Sequence, residues 1–257
     1  MRIVSFSRNG ERKYGVVENG LVYEIDGDLE SCYFNNYRRS GNEFRLDHLS
    51  LLPPCEPTKI VCLGLNYRGH AEEMKLPLPS APIIFMKPAT AVIGPGESIV
   101  YPPQSSRVDY EAELGVVMGR RAHRVKQSEA LDYVLGYTCA NDVTARDLQS
   151  KNGQWIYAKG FDTFAPLGPW IETGLQNPEN LEIKGYLNEK LVQFSSTADH
   201  IFPVQELIAY ISACMTLLPG DVIITGTPPG IGPLAPGDTF EVEISDIGKL
   251  LNRVIKT

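Results

Sequence analysis

VDYEAELGVVMG, residues 108–119, is the stretch of sequence that decides the fold. Alternate side chains of a strand share a face, so Asp109, Glu111 and Glu113 would line one face of a strand here. Beyond Glu113 both faces are apolar, which is typical of a strand inside a sheet. Carboxylates at the inner end of such a strand are costly unless a cation joins them. The charge pattern alone leaves a solvated strand face open as the alternative.

A hard cation with oxygen ligands, Mg²⁺ or Mn²⁺, would join these carboxylates. Asp142, in YTCANDVTARDLQ, follows another apolar strand-like run and is a further candidate. An Asn-Asp pair also suits a turn or a helix N-cap. Arg146 and Gln149 lie three residues apart just after it and could hold a substrate carboxylate. A surface pair of Arg146 with Asp147 is the alternative.

His70 and Glu73, in NYRGHAEEMK, are neighbours if the segment is helical. The carboxylate would raise the basicity of the imidazole, as a general base requires. Such a pair is also common on protein surfaces. LPLPSAP follows, and a short helix tethered by a proline-rich loop could act as a lid.

Lys159 is flanked by aromatic residues in WIYAKGFDTFAP, which suggests more than a solubilising role. TGTPPGIGP is rich in glycine but lacks the Gly-Lys-Ser/Thr of a phosphate loop, so we exclude nucleotide binding. A rigid turn is the simple interpretation of this segment, although Thr227 still offers a hydroxyl to a ligand.

The rest of the chain predicts an α+β fold that is predominantly β, with a small N-terminal β domain at residues 1–56 and a catalytic domain at 57–257. Asn9-Gly10 and Asn19-Gly20 suit type I′ hairpin turns between the first strands. A proline-rich linker follows them. The main helix predicted is PVQELIAYISACMTLL, and SEALDYVLG is a shorter candidate with Ser128 as N-cap.

Composition limits the possible partners and the compartment. The net charge of −7 disfavours non-specific binding to nucleic acid. The five cysteines are odd in number and lack a C-x-x-C spacing, which indicates free thiols in a reducing cytoplasm. The N-terminus has no signal-peptide pattern, and no apolar run is long enough to span a membrane. We therefore expect a cytoplasmic protein.

Six segments, taken in order, resemble the fumarylacetoacetate hydrolase superfamily over nearly all of residues 57–248. They are LNYRGHAEEM, FMKPATAVIGPG, VDYEAELGVVMG, GYTCANDVTARDLQ, AKGFDTFAPLGPWI and LLPGDVIITGTPPGIGP. The resemblance implies a β-roll catalytic domain and a homodimer. The N-terminal unit resembles the extra domain of bacterial and archaeal members known as 2-hydroxyhepta-2,4-diene-1,7-dioate isomerases or related hydrolases.

The resemblance also implies roles for particular residues. It implies Mg²⁺ or Mn²⁺ bound by Glu111, Glu113 and Asp142, a His70–Glu73 dyad on a mobile lid, an active-site Lys159, and substrate contacts from Arg146, Gln149 and Thr227. Asp109 is not a usual ligand in the superfamily, so we leave it out of the metal set.

The resemblance implies an enzyme that acts on a small 2-oxo or 2,4-dioxo carboxylic acid. The reaction would pass through an enolate that the metal chelates. Our first choice is hydrolysis of a carbon–carbon bond in an acylpyruvate-like substrate. Alternatives are an isomerase or decarboxylase of 2-hydroxyhepta-2,4-diene-1,7-dioate-type intermediates of aromatic catabolism, or an oxaloacetate decarboxylase or tautomerase. A non-catalytic metal- or ligand-binding protein is the alternative of a different class.

Overall fold

A computed structural model describes residues 1–34, 36–150 and 154–256. The described α-helices are α1 (Leu29–Tyr33), α2 (Arg68–Glu73), α3 (Ile156–Lys159) and α4 (Val204–Cys214). The described strands are β1 (Arg2–Arg8), β2 (Glu11–Glu18), β3 (Leu21–Asp26), β4 (Arg38–Arg45), β5 (Leu51–Leu52), β6 (Ile60–Gly64), β7 (Ile83–Lys87), β8 (Val92–Ile93), β9 (Ser98–Tyr101), β10 (Val108–Tyr110), β11 (Ala112–Met118), β12 (Val134–Asn141), β13 (Thr144–Ala145), β14 (Ala165–Glu172), β15 (Glu182–Leu187), β16 (Lys190–Ser196), β17 (Val222–Ile224), β18 (Gly232–Leu234), β19 (Thr239–Ile244) and β20 (Gly248–Lys256). The predominantly β class is confirmed.

Three sheets organise the described strands. The largest runs in the order β4-β3-β2-β1-β14-β12-β11-β17-β6-β7, with β5 beside β1 and β8 beside β14. A second sheet runs β16-β15-β19-β20-β9, and a third, small one runs β13-β10-β18. Inner faces of the first two sheets and of α4 supply the main hydrophobic core.

Strand β11 is the interior strand that the sequence predicts. Every one of its residues is buried, and it lies between β12 and β17. The predicted strand is nevertheless interrupted at Glu111, because β10 pairs with β13 and β18 in the small sheet. Glu111 therefore lies where the chain passes from the small sheet to the large one.

The N-terminal hairpins turn as predicted. Asn9 and Gly10 have φ values of 53° and 81°, and Asn19 and Gly20 have 50° and 78°. Positive φ at both turn residues is the type I′ signature. β1 also pairs with β14, so the N-terminal strands extend the large sheet. The division of the chain at residue 56 stays a prediction.

The two helices expected beyond the lid differ in outcome. α4 begins after Pro203, as predicted, with Leu207, Ile208 and Ile211 buried, but it ends at Cys214 instead of continuing to Leu218. The prediction of an α-helix capped by Ser128 is wrong, because Gln127–Tyr133 forms a 3-10 helix whose start has no side-chain cap.

Two expectations from composition can be compared with the fold. All five cysteines are free, as predicted. No helix in the described ranges is both long and apolar enough to cross a membrane.

Candidate active site

Three carboxylates converge below the junction of the small and large sheets. Glu111, Glu113 and Asp142 are all buried, and one oxygen of each lies within 4.8 Å of the others. Asp142 N donates to the Glu111 carbonyl at 2.9 Å. Asn141 Oδ1 accepts from Glu111 N at 3.0 Å. These bonds tie the end of β12 to the break between β10 and β11, which brings the predicted triad together.

Two cations balance part of this charge. Lys159 Nζ donates to Glu111 Oε2 at 2.7 Å and to Asp142 Oδ2 at 2.6 Å, and Arg146 also pairs with Glu111. Burial opposes ionisation of Glu111, but Lys159 and Arg146 outweigh it and lower its pKa to about 2. Burial likewise opposes the charge of Lys159, and Asp142 and Glu111 outweigh it and raise the pKa of the lysine.

Glu113 lacks such compensation. Its Oε2 accepts from Gly226 N at 2.5 Å, and it has no ion pair with any residue that the structure describes. Burial raises its pKa well above the usual value, and Asp142 and Glu111 raise it further. A divalent cation would offset this repulsion, and an all-oxygen donor set suits a hard cation. The three carboxylates therefore fit a divalent metal.

Two other charged residues complete the cluster. Asp109 is fully buried but lies outside the triad, where Arg107 Nε and Arg146 Nε donate to it at 2.9 and 2.8 Å. It orients Arg146. Lys87 Nζ lies 2.7 Å from Asp142 Oδ1 and donates to two main-chain carbonyls. The alternation within residues 108–119 predicts a shared strand face for Asp109, Glu111 and Glu113. In the structure Asp109 lies near the other two residues, where it contacts Arg146, but it does not belong to the triad.

His70 and Glu73 meet on α2. His70 Nδ1 lies 2.9 Å from Glu73 Oε2, and Gly230 N donates to Glu73 Oε1 at 3.1 Å. Gly69 N, in the first turn, donates to Asp199 Oδ2 at 3.1 Å. The predicted pair therefore forms, and the glycine-rich TGTPPGIGP segment supports its carboxylate.

The first turn of α2 is anchored more firmly than the sequence suggests. Tyr67 and Ala71 are fully buried, and the Tyr67 ring packs edge-on against His200, with ring centroids 4.6 Å apart. From Glu72 onward the segment is exposed. If the region acts as a lid, we therefore expect its movement to involve the second half.

The predicted substrate-binding residues lie on two sides of the cluster. Arg146 Nη1 donates to Gln149 Oε1 at 2.6 Å. Thr227 Oγ1 donates to the Ala112 carbonyl at 3.0 Å and accepts from Gln193 Nε2 at 2.9 Å. Gln193, a buried residue of β16, has no neighbouring motif that would have identified it.

One cavity of about 500 Å³ unites these groups. Its lining includes seven of the predicted residues, namely His70, Glu111, Glu113, Arg146, Gln149, Lys159 and Thr227. Glu73 and Asp142 are not lining residues, but they are hydrogen-bonded to His70 and Lys159 respectively. The structure thus brings together all nine.

Comparison with known proteins identifies the family of the chain. The sequence model of the family described as fumarylacetoacetate (FAA) hydrolase C-terminal matches residues 59–255, and that described as Rv2993c-like, N-terminal matches residues 1–54. The chain belongs to the fumarylacetoacetate hydrolase family. The fold is that of the family.

Relatives within the family differ in their named activities. An oxaloacetate tautomerase, Fahd2a, of Rattus norvegicus mitochondria is 42% identical over 215 residues, which are 80% of this chain and 69% of that protein. A 2-hydroxyhepta-2,4-diene-1,7-dioate isomerase of Mycobacterium marinum has a TM-score of 0.91 and 38% identity over 100% of this chain and 99% of the other. A fumarylacetoacetate hydrolase of Exiguobacterium antarcticum has a TM-score of 0.86 and 31% identity over all of both chains.

Proposed function

We propose that the protein is a divalent-metal-dependent enzyme that hydrolyses a carbon–carbon bond in a small 2,4-dioxo carboxylic acid of the acylpyruvate type. The observation that carries this proposal is the placement of His70 and the Glu111–Glu113–Lys159 cluster around one cavity. Hydrolysis requires both a base for water and positive charge at the developing enolate. Mg²⁺ or Mn²⁺ is the metal that we propose for the triad.

Each residue has a defined task in this proposal. A cation held by Glu111, Glu113 and Asp142 would supply Lewis-acid stabilisation of negative charge on the substrate oxygens. Lys159 adds a second positive charge nearby, and Arg146 with Gln149 orients the substrate carboxylate.

His70 is the proposed base. Glu73 accepts from its Nδ1–H, a tautomer that leaves Nε2 to take a proton from water. That water attacks the C4 carbonyl. The C3–C4 bond breaks, its electron pair remains on C3 as a pyruvate enolate, and C4 leaves within a carboxylic acid. Protonation of C3 completes the reaction.

Tautomerisation or isomerisation is the second candidate, together with decarboxylation. The names of the rat tautomerase and the Mycobacterium marinum isomerase favour it. These reactions share the enolate but need no attacking water, so His70 would then only move a proton or position the substrate.

The test compares hydrolysis of an acylpyruvate with decarboxylation or tautomerisation of oxaloacetate, each with Mg²⁺ and Mn²⁺. We expect His70→Ala to lower hydrolysis by about 10²–10⁴-fold and to affect the oxaloacetate reactions less. Lys159→Ala should impair both, because both pass through the enolate. Equal loss in both reactions for His70→Ala would refute water activation. Absence of any turnover would favour a binding protein.

A further inference from the structure

We infer that the preferred substrate carries an uncharged, apolar group at the end remote from its 2-oxo acid head, as in a 4-alkyl or 4-aryl 2,4-dioxobutanoate. This inference rests on the proposed function for the position of the head. It goes beyond that function because it distinguishes monocarboxylic from dicarboxylic substrates.

One wall of the cavity is apolar. It is formed by Met74, Leu76, Ile83, Phe85 and Trp155, and we call it the apolar wall. Phe85 and Trp155 meet edge to face with their ring centroids 5.2 Å apart. Lys159 Nζ lies 5.0 Å from the centroid of the Phe85 ring, so the apolar wall begins directly beside the charged cluster.

The backbone of β6 leaves room for this wall. A Cβ atom on Gly64 would come within 2.8 Å of the Trp155 ring, a distance that real contacts do not show. Glycine therefore allows the indole to pack against the strand. Leu65, the next residue, also lines the cavity and has a φ of 54°, an uncommon conformation for leucine that the surrounding packing must hold.

The distribution of charge separates the two ends of the cavity. Among the described lining residues the lysines and arginines are Lys159 and Arg146, and both already pair with carboxylates at the head end. A second substrate carboxylate packed against the apolar wall would lose part of its hydration without gaining a cation from these residues. A dicarboxylic acid would therefore bind more weakly than a monocarboxylic acid of equal length.

The solvent exposure of the apolar wall also favours a substrate with an apolar distal group. Met74, Leu76 and Ile83 are large apolar side chains left open to solvent. Leu76 is held in place, because its N–H donates to the Ala71 carbonyl at 3.0 Å after Lys75 has reversed the chain at φ 54°. An apolar substituent that covers these side chains gains about fourfold in affinity per buried methylene.

The deciding experiment measures binding of 2-oxoheptanoate and 2-oxoheptanedioate to the Mg²⁺-loaded protein by calorimetry. The two acids differ only in the distal carboxylate. We expect the monocarboxylic acid to bind at least about tenfold more tightly, and the preference to grow from 2-oxopentanoate to 2-oxoheptanoate. Equal or tighter binding of the dicarboxylic acid would overturn the inference.

Two matched variants test whether the apolar wall causes the preference for the monocarboxylic acid. Leu76 and Leu191 are 50% and 48% exposed, and only Leu76 lines the cavity. Leu76→Lys should reduce the preference for the monocarboxylic acid by about fivefold, since it places a cation on the apolar wall. Leu191→Lys should leave it unchanged. An equal response of the two variants would exclude the apolar wall as the cause.

Hydrolysis of 2,4-dioxoheptanoate and 2,4-dioxoheptanedioate is measured on the same samples. Preferential binding of the monocarboxylic acid without turnover of either dioxo acid would refute hydrolysis and leave the inference standing. Turnover that favours the dicarboxylic substrate would refute the inference and leave hydrolysis standing. Failure of both 2-oxo acids to bind in the presence of Mg²⁺ would overturn both.

Discussion

Glu111 and Glu113 stand two residues apart, but their charges are balanced differently. Glu111 pairs with Lys159 and Arg146, whereas Glu113 has only the Gly226 N–H among the groups that the structure describes. Replacing either by an amide removes a metal ligand. Only the loss of Glu111 also removes one of two carboxylate partners from both Lys159 and Arg146, which keep Asp142 and Asp109 respectively, and that is destabilising.

We therefore predict opposite effects on the metal-free protein. Glu111→Gln should lower the free energy of unfolding by about 1–3 kcal/mol. Glu113→Gln should leave it unchanged or raise it, because burial already disfavours the charged form of Glu113 and the amide carries no charge. Thermal unfolding with a chelator measures both. A large loss of stability in Glu113→Gln would contradict this account of the charge balance.

The same variants test the metal site. Both should weaken Mg²⁺ or Mn²⁺ binding by more than the roughly 10–100-fold that loss of an outer-shell partner costs. Asp109→Asn serves as the control, since Asp109 contacts Arg107 and Arg146 rather than the triad. Its effect on metal affinity should be milder. Chelator should abolish activity and either metal should restore it, so full activity in chelator would refute metal dependence.

His200 should make stability depend on pH. Burial lowers its pKa from 6.5 to about 4. As the pH falls below 6.5, the unfolded chain binds a proton that the folded protein excludes, so stability decreases until about pH 4. The full loss is about 3 kcal/mol.

His200→Phe should remove this acid-side slope while keeping a ring against Tyr67. The exposed His48 provides the matched control, and His48→Gln should retain the slope. Urea unfolding at several pH values between 4 and 7 measures the effect. If the free energy of unfolding of His200→Phe still falls with decreasing pH to the same extent, other titratable groups cause the pH dependence.

Residue identities at the site were predictable where chemistry and spacing coincide, as in the i, i+3 pair His70–Glu73 and the i, i+2 pair Glu111–Glu113. Lys87 and Gln193 were not assigned a role, because their partners lie far along the chain: Lys87 meets Asp142, and Gln193 meets Thr227. Such partnerships depend on the tertiary fold rather than on local pattern.

At the scale of elements, α2 determines where the proposed base lies. This helix is too short to be stable alone, so its position depends on contacts with other segments. Asp199, just before His200, accepts from Gly69 N in the first turn of α2. We predict that Asp199→Ala increases amide hydrogen exchange of residues 69–71 by roughly fivefold, since a lost capping bond costs about 1 kcal/mol.

Mass spectrometry of the peptide that spans residues 65–76 measures this exchange. Glu30→Ala, on the remote helix α1, is the control and should have no effect there. In the unmodified protein, overlapping peptides should show that the exposed residues 74–76 exchange faster than residues 67–71 and slow when oxalate binds. Uniform exchange along this segment, or no response to oxalate, would argue against a lid.

The elements themselves were predictable to different degrees. Asn-Gly turns and the apolar spacing of α4 are local signals, and both predictions are confirmed. The order of strands was not predictable, because β17 pairs in parallel with β6 across more than 150 residues and β1 pairs with β14. The break at Glu111 also escaped prediction, since its cause is pairing of β10 with the distant β18.

At the scale of the whole molecule, the net charge of −7 would repel an anionic substrate, so attraction must come from the site. Arg146, Lys159 and Lys87 offset the three carboxylates of the triad, and a divalent cation would add two positive charges to the site. Attraction of an anionic substrate would therefore depend on the bound metal.

The homodimer implied by the family resemblance remains a prediction, and the exposed apolar side chains suggest where the copies would meet. Ile156 and Tyr157 on α3 and Met86 on the neighbouring β7 are all exposed. β7 is also the last strand of the large sheet in the described order. A patch of this kind on a monomer usually marks an interaction surface.

We predict that light scattering at micromolar concentration gives the mass of a dimer, and that Ile156→Asp combined with Tyr157→Asp shifts it toward the monomer. Charged residues buried in an interface without partners cost several kcal/mol, enough to dissociate a moderately stable dimer. Leu191→Asp combined with Phe194→Asp is the matched control, because these two side chains are as exposed but lie on β16, away from α3. A monomeric unmodified protein would refute the dimer, while dissociation by the β16 pair alone would place the contact on the other sheet.

Helix α3 also carries Lys159. If the double substitution on α3 dissociates the dimer, we therefore expect it to lower the activity together with the measured mass.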